Sequence, residues 1–224
     1  MSIDFNQMQN EHAIWVTKNF PNQPTERPLL GAIEELGELC HAELKLLQGI
    51  RGDSEKHITA AKDAVGDVII YLFHYCTLKG FNLSQCMMDY RFLQSMYLDK
   101  NTAQTLLNVN KYLGKLSKTE LKLLLTAKNN KEKLIEKVKN SLGELMNNLF
   151  AYCDLRGFKL EECLQTAFDE VMKRDWTKNK ENGSVENVLA IVDGVTVVDV
   201  AKEMAKPPEG DLTEEVCHEN EKDN

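Results

Sequence analysis

LFHYCTLKGFNLSQC, residues 72 to 86, returns 77 positions later as LFAYCDLRGFKLEEC, residues 149 to 163. Working outward at the same offset, the alignment holds without a gap. Leu29, Leu36, Gly37, Leu39 and the run Glu43 to Leu47 fall on Leu106, Leu113, Gly114, Leu116 and the run Glu120 to Leu124. From 29 to 86 there are 24 identities in 58 pairs. Unrelated sequences of ordinary composition give only about one in fifteen, and shared helical composition does not hold one register over such a length. The chain therefore carries a duplicated unit.

Between few prolines and glycines, 5 and 12 in 224 residues, run long stretches of 3.6-residue hydrophobic period, which predict an all-α unit. Copy one is expected to form helices near 4–19, 28–48, 55–79 and 83–98, broken at NFPNQP, QGIRGD and LKGFN. Copy two is expected to form helices near 104–127, 131–156 and 160–178. The counterpart of the first helix would fall on 81–96, so one segment would close copy one and open copy two. This divides the chain into a repeat at 1–100, a second repeat at 101–180 and a C-terminal region at 181–224. In the last region NVLAIVDGVTVVDV has two short β-rich runs about Asp193-Gly194, a hairpin signal. From Ala201 the charged, proline-containing tail is expected to be disordered or to act as a docking arm.

Composition excludes several classes of function. With 35 acids against 27 bases and a net charge of −8, a non-specific nucleic-acid or anionic-membrane binder is excluded, since phosphate contacts need a basic footprint. No window nears the 18 or more apolar residues of a membrane span, and Met1 to Asn10 lacks a charged region followed by an apolar run. A cytoplasmic protein is expected. The six cysteines, mostly in apolar helical stretches and without a CxxC pair, read as reduced thiols.

The polar residues that matter are acids. Glu34, Glu35 and Glu38 fall in one sector of the second helix, because i, i+1 and i+4 lie within about 100° of one another. By itself such a cluster in an acidic chain describes a solvated helix face. The next helix differs: AVGDVIIYLFHYC, 64 to 76, is apolar nearly all round, with Asp67 embedded in it and Asp63 one turn earlier. An ionised carboxylate there needs a partner. Either a basic side chain or a metal ion shared with the glutamates would serve, and one lysine does not balance four or five carboxylates. Hard oxygen donors in this number suit Mg²⁺, or Mn²⁺. A di-iron bundle would need a second Glu-x-x-His besides Glu38 and His41 on a facing helix. The only other one, Glu215 with His218, lies in the tail.

EELGEL (34 to 39) followed by AVGDVIIYL (64 to 72) resembles the MazG-like all-α nucleoside triphosphate pyrophosphohydrolases, whose pattern is EExxE followed by ExxD. The resemblance implies Mg²⁺-dependent hydrolysis of a (deoxy)nucleoside triphosphate to the monophosphate and pyrophosphate. It implies Glu35 and Glu38 as metal ligands and as the carboxylates that orient or deprotonate water, with Glu34 and Asp67 completing the metal set. Where the family has the glutamate of ExxD this chain has Ala64, and Asp63, one residue earlier, is the acid that would replace it. VMKRDWTKNK (171 to 180) and the later KPPEG look like the closing segment of phage-type and stand-alone members. Lys173, Arg174, Trp176 and Lys178 are then the expected substrate-binding residues.

The copies diverge at these positions. Glu34, Glu35, Glu38 and Asp63 map to Lys111, Tyr112, Lys115 and Asn140, and only Asp67 keeps an acid, Glu144. Lys173 to Trp176 map to Met96, Tyr97, Leu98 and Asp99, so copy one lacks the basic-aromatic ending. Family members commonly dimerise, which implies a single-chain pseudo-dimer with one site, metal from copy one and phosphate contacts from copy two. The expected partner is the nucleoside triphosphate, and pairs of chains are a further possibility. The alternative is a catalytically inactive nucleotide-sensing or protein-interaction module derived from the same fold.

Overall fold

The computed structural model describes residues 4–49, 54–87, 101–126 and 131–177, all within a compact unit of residues Met1–Thr177. The Asp4 carboxylate accepts from the backbone N–H groups of Asn6 and Gln7 and so starts α1, Phe5–Asn19. α2 spans Glu26–Gln48 and α3 Ser54–Lys79, followed by a single turn, α4, at Leu83–Cys86. α5 spans Thr102–Leu125, α6 Glu132–Arg156 and α7 Leu160–Lys173. The described residues are all-helical, as the period predicts. The expected hairpin, the tail and most of the 83–98 helix lie outside them.

Two expected helices depart from their periodicity within the described residues. The helix begun at Leu83 gives way at Met87, which is extended at φ −79° and ψ 133°. The helix begun at Leu160 stops at Lys173, and Arg174 is extended at φ −77° and ψ 134°. In the second case a tertiary cause is visible. Trp15 Nε1 donates to the Arg174 carbonyl at 2.8 Å, and the Trp176 N–H donates to Asn19 Oδ1 at 2.8 Å. Side chains of α1 thus draw the segment after α7 away from a helical path.

LKGF and LRGF end α3 and α6 in the same way. Gly80 and Gly157 both sit at φ 70°, a left-handed conformation that suits glycine. The N–H groups of Phe81 and Phe158 reach back to Cys76 and Cys153, each at 2.8 Å.

α2 packs along α3 and α5 along α6, and the two pairs meet where α2 touches α5. α7 lies on α3, α4 on α6, and α1 crosses α3, α4 and α7. Two of these approaches demand a missing side chain. A Cβ on Gly66 would lie 2.5 Å from the Cys163 carbonyl oxygen, and one on Gly143 would lie 2.2 Å from that of Cys86. Both pairs are related by the 77-residue offset.

One apolar core runs through both pairs, including Leu36, Leu39, Ile69, Leu72 and Phe73 on one side and Leu113, Leu116, Leu142, Leu145 and Met146 on the other. Two buried carboxylates interrupt it. Glu43 accepts from Arg156 Nε at 2.7 Å and Tyr152 Oη at 2.9 Å, and also from Thr102 Oγ1 and Arg156 Nη2. Glu120 accepts from Thr25 Oγ1 at 2.6 Å, Tyr75 Oη at 2.7 Å and Lys79 Nζ at 3.1 Å. Burial opposes ionisation of both, and the hydrogen bonds outweigh it, so both carboxyls are held below their ordinary range.

Among the described residues no helix is long and apolar enough to cross a membrane. Cys40, Cys76, Cys86, Cys153 and Cys163 are free thiols.

Candidate functional site

On α3 every residue from Ala64 to Cys76 is buried except Asp67 and Tyr71, which lie one turn apart and are half-exposed. They open onto a cavity of about 430 Å³. α3 also contributes Ile70 and His74 to it, α2 contributes Arg27, Gly31, Glu34 and Glu35, and α1 contributes His12 and Trp15. Val171, Arg174 and Trp176 complete the wall from α7 and its extension. Gly31 is where α2 admits the Tyr71 ring, since a Cβ there would lie 2.3 Å from it.

The cavity has two chemical characters. His12 stacks on Trp15 with ring centroids 5.6 Å apart, His74 meets His12 at 6.2 Å, and Phe20 meets Trp15 edge-on at 5.8 Å. Both histidines are deeply buried, and burial lowers their pKa values to about 3 for His12 and about 4 for His74. They are neutral at pH 7. The His12 Nδ1 atom is buried without a hydrogen-bond partner, so an apolar, aromatic region holds an unused polar atom.

The other region carries charge. Burial, followed by the repulsion of Asp67, Glu38, Glu34 and Asp63, raises the Glu35 pKa to about 7. Burial and then Asp63 raise that of Asp67 to about 6, with Arg174 drawing it down and Glu170 and Glu38 adding to the rise. Asp63 is raised by desolvation and by Glu170, again against Arg174. The five acids predicted from the sequence therefore share one electrostatic field. Arg174, just past the end of α7, is a cation within it.

Glu38 and Asp63 stand outside the wall of the cavity itself, and Asp63 borders a neighbouring hollow with Lys62, Cys163 and Glu170. Lys173 is exposed on the last turn of α7, away from the cavity wall, and Lys178 lies outside the described residues. Trp176 is 41% exposed. The acids suit a hard divalent cation in donor type and in their mutual repulsion, which a cation would relieve. As the side chains stand, however, no group of three or more His, Cys, Asp or Glu among the described residues is gathered to hold a metal ion.

Arg27, His12, Trp15, His74 and Glu170 belong to this region and were not singled out from the sequence. His12 and Trp15 share a face of α1 at a spacing of three, the only local signal for them. Comparison with protein-family models, with curated proteins and with solved structures finds no match.

Proposed function

We propose that this protein is a nucleoside triphosphate pyrophosphohydrolase, releasing pyrophosphate and the monophosphate from a (deoxy)nucleoside triphosphate with Mg²⁺ or Mn²⁺. The observation that carries this reading is Arg174. Past the end of α7 it lines a cavity with acids from α2 and α3 and with the aromatic rings of Trp15, Tyr71 and Trp176. A nucleoside triphosphate has the same two-part chemistry, a planar base and a polyanion.

On this reading Glu34, Glu35, Glu38, Asp67 and Asp63 hold the cation, which when bound neutralises phosphate oxygens and acidifies water. The protein's own contributions are distinct. Arg174, with Arg27 on the same wall, neutralises charge developing on the triphosphate. Glu35, which lines the cavity wall with Asp67, orients or deprotonates the attacking water. Trp15, Tyr71 and Trp176 offer faces on which a base stacks, and the apolar wall limits water.

We further infer that the halves are duplicated units meeting as a single-chain pseudo-dimer with one such site. Its support is reciprocity. Thr25, Tyr75 and Lys79 donate to Glu120 as Thr102, Tyr152 and Arg156 donate to Glu43, and Gly66 meets Cys163 as Gly143 meets Cys86. An isologous interface has this pattern. In copy two every acid position but that of Glu144 is basic or neutral, which leaves one set of acids per chain.

A nucleotide-binding module without turnover is the second reading. The observation in its favour is that the acids, as they stand, do not form a ligand cage. Pyrophosphate release from a panel of standard and modified deoxynucleoside triphosphates, with and without Mg²⁺, separates the two. Metal-dependent release from any member supports the enzyme, and tight binding of a member with no release supports the module.

A further inference from the structure

The positions that hold acids between α2 and α3 hold a different chemistry between α5 and α6. A hollow of about 400 Å³ opens there, lined by Lys115, Lys118 and Lys122 of α5 and Lys137 of α6. Tyr112, Thr119, Asn140 and Ser141 fill in between, and Glu144 is the one acid on this wall. Counting back 77 residues, Lys115 stands for Glu38, Lys118 for His41, Lys137 for Ala60, Asn140 for Asp63 and Ser141 for Ala64. Lys122 repeats Lys45. Three lysines have thus been gained around one hollow, in a chain whose net charge is −8.

An exposed lysine-bearing helix is ordinarily a solvated face, with its ammonium groups fanned outward or paired with acids at i+3 or i+4. Here lysines from two helices border one concavity. Among the described residues none of the four lysines is ion-paired. Lys111 and Lys115 instead lie over the Tyr112 ring, each 4.8 Å from its centroid. On α5 the three lysines follow at i, i+3 and i+7, a rise of about 10 Å along one side. That arrangement fits an elongated anion with several charges better than a single carboxylate.

We infer that this hollow binds an oligophosphate chain. The ammonium groups of Lys115, Lys118, Lys122 and Lys137 donate to phosphate oxygens, and Asn140 adds a neutral donor where the other half has a repelling carboxylate. Recognition is of the phosphate chain itself, whether free or attached to a nucleoside. It requires no Mg²⁺ at the acids of α2 and α3 and does not depend on the hydrolase reading.

The test is calorimetric titration of the full chain with sodium tripolyphosphate in a chelator-containing, Mg²⁺-free buffer, repeated with a deoxynucleoside triphosphate. The expected result is binding that weakens as salt rises. The affinity should fall at least tenfold in Lys118→Glu/Lys137→Glu and stay unchanged in Lys56→Gln, an exposed lysine of α3 outside both cavities. Lys118→Gln/Lys137→Gln, which keeps helix-forming side chains, should lose affinity in the same direction and decides the matter if charge reversal unfolds the chain. The nucleotide should show the same dependence on the two lysines. The inference is overturned if tripolyphosphate does not bind, if it binds folded lysine variants as tightly as the parent, or if only the nucleotide depends on these lysines.

Discussion

Glu43 and Glu120 stand 77 residues apart, and each, buried in the core, accepts hydrogen bonds from a threonine, a tyrosine and a cation belonging to the other half of the described fold. The partners of one are the sequence counterparts of the partners of the other. Only the cation differs. Arg156 meets Glu43 through both Nε and Nη2, whereas Lys79 meets Glu120 through a single nitrogen.

From this difference Glu43→Gln is expected to destabilise more than Glu120→Gln. Hydrogen bonds to a buried charge are worth about 1.5–3 kcal/mol each, and the bidentate pair loses more of them. Urea unfolding of the two variants measures it. Equal losses would mean that the second nitrogen of Arg156 contributes nothing.

Gly66→Ala should cost about 1–3 kcal/mol, because the new methyl meets a carbonyl oxygen and the Ala167 methyl, not the far end of a flexible side chain. It should also disturb turnover, since α7 carries Arg174. Gly37→Ala, where a Cβ meets nothing within 4 Å, should be neutral or slightly stabilising. Thermal melts of the pair provide the comparison.

The sequence carried the helical class, the duplicated register and the acids, because each is a short-range or periodic signal. Helix ends at Arg174 and Met87 escaped it. Periodicity continues past Lys173, and what ends the helix is the grip of Trp15 and Asn19, more than 150 residues away in sequence. For the same reason His12, Arg27 and Glu170 were not legible as site residues: their place depends on how α1 and α7 lie on α3. Lys173 was grouped with Arg174 by sequence, yet the turn between them sends only Arg174 to the cavity wall.

Acid should weaken the fold through the histidines. The folded pKa values of His12 and His74 are lowered to about 3 and 4, so their contribution is present above about 6.5 and is lost as pH falls towards those values. Glu35 and Asp67, with raised values of about 7 and 6, act in the opposite sense, which makes a comparison of variants necessary. His74→Phe should lose less melting temperature than the parent between pH 7 and 5. An identical loss would remove His74 from the explanation.

Mg²⁺ should raise the melting temperature by relieving repulsion among the acids, and chelation should reverse it. Glu35→Gln should melt at or above the parent without metal, having lost a partly buried charge. It should gain little from Mg²⁺. A full metal increment in this variant would place the cation elsewhere.

Arg174→Ala should lower kcat/KM for triphosphates roughly ten- to hundredfold, with the Mg²⁺ dependence unchanged, since it removes a phosphate contact. Steady-state kinetics at several Mg²⁺ concentrations would measure this. A loss of thermal stability with unaltered kinetics would reduce Arg174 to a counter-charge for Asp63 and Asp67.

The most direct measurement is the product ratio from a deoxynucleoside triphosphate incubated with Mg²⁺ and either the parent chain or Glu38→Gln. The account predicts monophosphate and pyrophosphate in equal amounts from the parent, none without metal and none from the variant. Orthophosphate and diphosphate as products, or undiminished turnover by Glu38→Gln, would contradict it.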